Sequence, residues 1–436
     1  LHGFAILLAA KEQNGMSWKL SIFGKDVIDF RSESLENPAN SLSDPSVIEA
    51  LTGGMKANTG ATVNPNTALA VSAVYRAVAL LSGTMAALPL HVYQREDQGN
   101  RNMALQHPAY NLLHNEPNSM QTSFYFRETA MTHLLLTSGN FFAYILRGTN
   151  YQPDSIYLLE PEKVRVVMVD YQLWYFVEGV KEPIPARDMI HVAGLGFDGI
   201  KGKTPLRIAR EAIGQGLTLQ DFASYFFANG ANVSAVIEHP AKMNDQQYTR
   251  FRESWERAYQ GVQKSNRTAI LEGGAKLNKL SIPPEEAQFL QTRKFNVTEI
   301  ARIFGVAPHK LYDLERSTNN NIEHQGIEFV QDTISILAAR IEAEFNRKLF
   351  RENEKGRFYT KFNLNALMRG DVATRAGYYS LMRNITAMTA DEIRQLEDMN
   401  PRGGEADELL FPLNMATETQ LKQQNKQDDG KSKKED

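Results

Sequence analysis

Cysteine is absent from this 436-residue chain. That excludes disulfides and thiolate metal sites, and it fits a reducing compartment. An excess of charge is missing too. Lys plus Arg number 48 against 51 Asp plus Glu, for a net charge of -3, so the chain is not built to grip nucleic acid over a broad basic face. Long apolar runs are also lacking. The stretch Phe4–Ala10 is too short to span a bilayer, and no basic flank precedes it as a signal peptide requires. A soluble protein without membrane contact is expected. Met16, followed by Ser17, Trp18 and Lys19, is the expected start, with residues 1–15 as upstream sequence.

Catalytic signatures are equally sparse. The nine histidines are scattered, and no pair has the i, i+4 spacing with Glu that a helical zinc site needs. No Gly-x-Ser-x-Gly elbow occurs. Acidic residues are plentiful, but none stands out as a catalytic pair. Gly196-Phe-Asp-Gly-Ile-Lys-Gly-Lys-Thr204 superficially resembles a phosphate-binding loop. That loop needs Gly five residues before Gly202, where Phe197 stands. Pro205 also removes a backbone N–H from the turn that follows. A Gly-rich turn feeding a capped helix is the reading adopted. No enzyme activity, metal or cofactor is expected.

What is present begins with length. A chain this long divides into two or more modules. Residues 24–66 are rich in Ser, Asn, Pro and Gly, which implies a mobile arm with order beginning near Thr67. Val71, Val74, Val78, Leu81, Met85 and Leu88 then recur at helical spacing until Pro89. A second helix is expected from Ser123, which can cap it. A strand-like segment at residues 90–96 precedes that helix, and others follow it at 140–148, 155–161, 163–169, 173–179 and 189–196, giving a mixed α+β module. Thr204 as cap, Pro205 in the first turn and Asn229-Gly230 at the far end predict one helix roughly 35–40 Å long. Residues 232–284 read as a small module with an amphipathic helix, and Pro283-Pro284 closes it. Helix returns at Glu285–Phe304. Ile327, Val330, Ile334, Leu337, Ile341 and Phe345 form one apolar stripe on a long helix. Short helices follow Asn365. The polar, low-complexity C-terminal run reads as disordered.

The segment 297–315 fits a helix-turn-helix DNA reader, with Thr298 as cap, Ala301 packed, Gly305 at the turn and Pro308 opening the recognition helix. That helix would offer Lys310 and Arg316, but also Asp313 and Glu315, whose carboxylates oppose phosphate binding. A transcriptional regulator built on this motif is the alternative reading.

Several segments together resemble the portal (head–tail connector) proteins of tailed double-stranded-DNA phages, of the lambdoid long-tailed type. They are TALAVSAVYRAVALLSGTMAALPLHVY, HPAYNLLHNEPNSMQTSFYFRETAMTHLLLTSGNFFAYI, GKTPLRIAREAI, DFASYFFANGANVSAVIEHP and FLQTRKFNVTEIARIFGVAPHKLYDLERSTNNNIEHQGIEFVQDTI. They stand in family order over roughly residues 65–350.

The resemblance implies an α+β portal fold of wing, stem, clip and crown, assembled as a ring, usually a dodecamer, around an axial channel. By position, residues 1–62 are a flexible N-terminal arm, 63–203 the wing, 204–231 the first stem helix and 232–284 the clip. Residues 285–306 are the second stem helix, 307–365 the tunnel loop and long wing helix, 366–412 the crown and 413–436 a disordered tail. The implied role is structural: a capsid-vertex channel for DNA packaging and ejection in the virion, assembled in the host cytoplasm. The implied partners are further copies of the chain, terminase, a head–tail adaptor, the major capsid protein and scaffold, and double-stranded DNA read without sequence specificity. The packaging ATPase is the separate terminase, so no catalysis is implied.

Two sets of residues carry these expectations. Lys310, Arg316, Asn319, Asn320 and Asn321 would line the channel as the tunnel loop. A conduit must let DNA slide, and each neutralised phosphate adds a salt-dependent increment that a ring multiplies by every subunit. An Asn-rich, nearly uncharged loop suits such a wall. In the clip, Tyr248, Phe251, Trp255 and Tyr259 recur at helical spacing. They would pack within or between clips, or shape the edge that terminase and adaptor grip.

Overall fold

The computed structural model describes residues 17–22, 25–31, 54–96, 100–148, 150–228, 235–238, 244–259, 276–279, 285–313, 326–367, 372–397 and 399–410. The chain divides into two compact units, Leu1–Asn363 and Leu364–Asp436.

The first unit is organised by the helix Ser72–Ala87, which carries a single charge, Arg76. All six apolar positions read from its spacing, Val71 through Leu88, are buried. Leu88 is already extended, so the helix stops before Pro89 as expected. Order starts earlier than the composition implied. Met55–Lys56 pairs antiparallel with Thr62–Val63, and Ala57 between them is buried. The Asn58 N–H donates to Glu211 at 2.9 Å. Ser17–Ile22 likewise pairs with Lys25–Arg31. Asn64 then caps the short helix Pro65–Leu69 in a reciprocal box with Thr67.

Helix Ser123–Thr132 packs on Ser72–Ala87. Its cap is Thr122 rather than Ser123: the Tyr125 N–H donates to Thr122, while the Ser123 hydroxyl turns away and donates to the Leu113 carbonyl at 2.5 Å. A π-helical turn, His133–Thr137, extends it.

The strand readings fall into three antiparallel sheets. Asn140–Arg147 lies between Met189–Ala193 and Pro153–Leu159. Gln172–Val177 lies between Val164–Val169 and Ile184–Pro185. Leu90–Arg95 lies between Phe358–Phe362 and Arg101–Met103. The helix Ser335–Lys348 packs on both Met189–Ala193 and Phe358–Phe362, and so joins two of the sheets to one core. A π-helical run, Phe329–Ile334, leads into it. The wider π turn slips the helical phase, so Ile327 is 44% exposed and Phe329 takes the buried place expected of it. Val330, Ile334, Ile341 and Phe345 are buried as the stripe predicts.

The single helix expected from Thr204 is two. Thr204 does cap, accepting from Leu206 N–H at 3.2 Å. Pro205–Ile208 then breaks at Ala209, and Arg210–Ala228 follows. The Asn229-Gly230 cap lies outside the described residues. Helix Glu285–Phe304 packs against both Arg210–Ala228 and Ser72–Ala87, and Asn296, buried at the first of these contacts, donates to the Ala212 carbonyl at 2.6 Å.

The helix-turn-helix reading does not survive. Thr298 is no cap: it lies inside Glu285–Phe304 and its hydroxyl donates to the Lys294 carbonyl. Ala301 is buried, and Gly305 turns the chain in the left-handed region with φ +65°, as expected of that glycine. Pro308 opens only a 3₁₀ turn, Pro308–Leu311, which ends at Tyr312 with φ 67°. A recognition helix of two or more turns is absent from residues 308–313, where it would have to start.

The second unit contains the helices Val372–Asn384 and Ala390–Leu396. Thr389 and Glu392 form a capping box on the latter. Asp391 is buried and accepts from the backbone N–H groups of Arg402 and Gly403 at 2.8 and 2.6 Å. Those bonds hold its carboxyl below the ordinary range.

Candidate functional site

The expected tunnel loop is rooted in a compact cluster. The Arg76 guanidinium stacks over the Tyr312 ring, 4.9 Å from its centroid, and its Nε donates to the Lys310 carbonyl at 3.2 Å. The Lys310 ammonium sits 4.7 Å from the centroid of Phe329. Thr333 donates to the Gly305 carbonyl at 2.5 Å. Leu311, Phe329 and Val330 are buried. The described residues on either side of 314–325 therefore meet at one packed base, Leu311 before it and Phe329 and Val330 after it. Cation–π contacts of this kind are worth on the order of 1 kcal/mol each.

Lys310 is half-buried at this base, and burial, then the adjacent Arg76 cation, lower its pKa from the ordinary lysine value. Asp313 is half-buried beside it, whereas Tyr312 is exposed. Arg316, Asn319, Asn320, Asn321 and Glu315 lie outside the described residues.

The second set lies on helix Asp245–Tyr259. Asn244 starts it by a capping box that was not read from the sequence: Gln247 N–H donates to Asn244 at 2.8 Å, and Asn244 N–H donates to Gln247 at 3.1 Å. Tyr248 is 60% exposed and Phe251 is half-buried. Trp255 and Tyr259 continue the same helix, and their side chains lie outside the described residues. The strand Ala235–Glu238 of this module pairs antiparallel with Lys276–Lys279.

The Gly-rich segment at 196–204 is not arranged to cradle phosphate, because four consecutive N–H groups, those of residues 200–203, are already used within the fold. Those of Ile200 and Lys201 donate to Asp198. Gly202 donates to Asn140, and Lys203 donates to the Leu195 carbonyl. Phosphate binding needs such groups free and convergent. Among the described residues no cluster of three or more His, Asp or Glu could hold a metal ion. No described helix is long and apolar enough to cross a membrane.

Sequence reasoning missed a buried polar network. His191 lies between Tyr175 and Asn140, each 3.1 Å from a ring nitrogen. The Asn140 amide is fixed by Gly202, whose N–H donates to its oxygen at 2.7 Å and whose carbonyl accepts from its nitrogen. Its oxygen can only accept, so His191 Nε2 carries the proton and Nδ1 accepts from the Tyr175 hydroxyl. Burial, then the nearby Lys348 and Arg347 cations, push the imidazole down to about 4. Burial pushes the Tyr175 phenol up. Glu344 accepts from the His191 backbone N–H and pairs with Arg347, and Lys348 donates to the Ala186 carbonyl. The only advance signals were a lone His on an apolar strand and a Glu inside a helix that reads as core. This network ties the Ser335–Lys348 helix to the sheet beneath it; Asn140, Tyr175, His191, Glu344 and Lys348 are buried, and Arg347 reaches solvent.

Residues 72–398 match the family model for "Phage portal protein". The chain is 36% identical over 394 residues to a "Probable portal protein" of Streptomyces phage phiC31, covering 85% of this chain and 83% of that one. It is 32% identical over 348 residues to the "Portal protein" of Enterobacteria phage HK97, covering 78% and 82%. Among solved structures it resembles an HK97-family phage portal protein from Corynebacterium diphtheriae, with TM-score 0.53, 18% identity and coverage of 70% and 96%. It also resembles a chain in the neck of a native gene transfer agent particle computed with C12 symmetry, with TM-score 0.51, 18% identity and coverage of 82% and 99%.

Proposed function

The chain belongs to the phage portal protein family, and from that membership we propose that it is a ring-forming structural subunit at one vertex of a phage head. The family match over residues 72–398 carries the proposal. Related folds in gene transfer agent necks computed with C6 and C12 symmetry support a closed ring, with twelve subunits the favoured number. The axial channel passes double-stranded DNA in during packaging and out during ejection, without sequence readout. The clip, residues 232–284, docks the terminase and then the head–tail adaptor. The major capsid protein and scaffold meet the outer ring. The subunit has no catalytic step of its own, because the terminase supplies the ATPase.

The loop root supports this reading physically. A loop that brushes moving DNA needs anchored ends and a non-adhesive tip. The Arg76–Tyr312 and Lys310–Phe329 contacts anchor it, and its Asn-rich sequence carries hydrogen-bonding groups with little charge. Assembly is the decisive test. Electron microscopy of purified protein should show closed rings with an axial hole. Light scattering that finds only monomers or dimers across salt and protein concentration would sink the proposal.

A further inference from the structure

Two apolar patches of this chain stand in water at opposite ends of one helical run. The first is on the Gly-rich turn at 194–203, where Phe197 is 94% exposed and Leu195 is 70% exposed. Their exposure is not slack in the loop. The Lys203 N–H closes it on the Leu195 carbonyl at 2.7 Å, and the Asp198 carboxylate is held by Ile200 and Lys201 N–H at 2.9 and 2.7 Å. Gly202 is pressed so near Gly139 that a Cβ would lie 2.1 Å from its carbonyl oxygen, so only glycine fits. The loop is a stiff mount that presents a phenyl ring.

The second patch is at the start of the run. Met120 is 74% exposed, Tyr125 62% and Phe124 41%, and the last two rings meet edge-on. From this patch Ser123–Thr132 and the π turn His133–Thr137 lead directly to Gly139, which bonds Gly194 at the base of the first patch. At about 1.5 Å per residue the run sets the patches roughly 20 Å apart. Their rims differ in charge. Lys201, Lys203 and Asp198 are exposed beside Phe197, the Asp198 carboxylate being engaged by backbone N–H groups, while Glu116 is exposed near Met120 in sequence. The cation in the second region, Arg127, turns inward to the carbonyls of Ser123 and Leu88.

We propose that the 194–203 loop is the knob of a head-to-tail contact between copies of this chain, with Phe197 and Leu195 seated on Met120, Phe124 and Tyr125 of the next subunit. This rests on the ring reading given above. Two different patches separated along one rigid element make a heterologous contact, which closes into a ring when the rotation permits. Exposed aromatic anchors on stiff mounts are the side chains that dominate such contacts, because little conformational freedom is lost on docking. Lys201 and Lys203 facing Glu116 set the register.

The chain has no cysteine, so the pairing can be read directly by cross-linking full-length protein. The double variant Phe197→Cys, Tyr125→Cys, assembled and then oxidised, should run as a ladder above dimer on a non-reducing gel, while each single variant should not. Phe197→Ser should raise the protein concentration needed for assembly tenfold or more, with an unchanged thermal unfolding curve, and Phe197→Leu should restore most of it. Assembled double-cysteine protein that forms no ladder, or Phe197→Ser that assembles like wild type, would overturn the contact while leaving the ring intact. Wild type that stays monomeric would overturn the ring reading, and the contact with it.

Discussion

Helices Ser72–Ala87 and Asp245–Tyr259 are 16 and 15 residues long, yet their described residues are buried to opposite extents. The first has one charge and buries most of two faces, including Val74, Val78, Leu81 and Met85. Its side chains interlock with helix Ser123–Thr132 and with Glu285–Phe304. The second carries charges at Asp245, Arg250, Arg252, Glu253, Glu256 and Arg257, and its described residues from Gln246 to Arg250 are exposed. Local devices start it, above all the Asn244–Gln247 capping box. A helix of this length held by local terms alone is marginal in water. The first helix is therefore a finished part of a core, and the described turns of the second are a surface on which Tyr248 is exposed, suited to the partner contacts proposed for it.

The comparison breaks most severely in the core. Phe345→Ala removes a buried ring from the small apolar cavity it lines with Met85, Phe141, Ile341 and Phe362. The expected loss is about 3–5 kcal/mol, seen as a lower denaturant midpoint. A loss under about 1 kcal/mol would show that this core is loosely packed.

Acid should also strike the first unit. The folded His191 titrates at about 4, below the value of about 6.5 for an unfolded chain. Between these values the unfolded chain binds the proton and the native network does not. The contribution is thus complete above about pH 6.5 and falls away as pH drops toward 4, by on the order of 3 kcal/mol. Melting temperature against pH for wild type and His191→Gln tests this. Parallel curves across that window would remove the network from the account.

At the loop, the expected effect moves from stability to passage. Changing Asn319, Asn320 and Asn321 together to Lys adds three charges per subunit. Packaging in vitro should slow or stall at low salt and recover as salt screens the ionic term. The Ser variants should be milder, since hydrogen-bonding capacity persists. Equal packaging by the two variants at low salt would show that the loop does not line the DNA path.

Helix Asp245–Tyr259 should respond least in stability. Trp255→Ala should leave unfolding of the core around Ser72–Ala87 within about 0.5 kcal/mol of wild type while impairing ring integrity or terminase binding. Normal packaging by that variant would count against a contact role.

Much of the scaffold was legible because it rests on local rules. The apolar spacing from Val71 to Leu88 marked a buried helix, and short β-rich segments between turns marked the strands. Thr204 capped as read. The misses share a cause. The π turn at Phe329–Ile334 shifted the phase of a correct helix and exposed Ile327, and periodicity read at a constant 3.6 residues per turn cannot see such a slip. Thr122 displaced Ser123 as cap because Ser123 found a better partner in Leu113, distant in the local pattern. Of the site, the loop root was partly legible. Lys310 was singled out, but its partners Arg76 and Phe329 were not, since Arg76 lies 234 residues from Lys310.

By itself, then, the sequence determined the class of the chain and its partition into helices, strands and glycine turns, because these follow from composition, periodicity and caps over a few residues. It also determined that no thiol chemistry could occur. Tertiary structure decided the rest. It broke the would-be recognition helix at Tyr312, since the packed base of Leu311 and Phe329 and the left-handed residue that follows leave one 3₁₀ turn. It spent the N–H groups of the phosphate-loop lookalike on Asp198 and Asn140. It held His191 neutral by burial beside cations from another element. Each outcome depends on which distant groups share a dry site, where desolvation and a single hydrogen-bond partner outweigh any local preference.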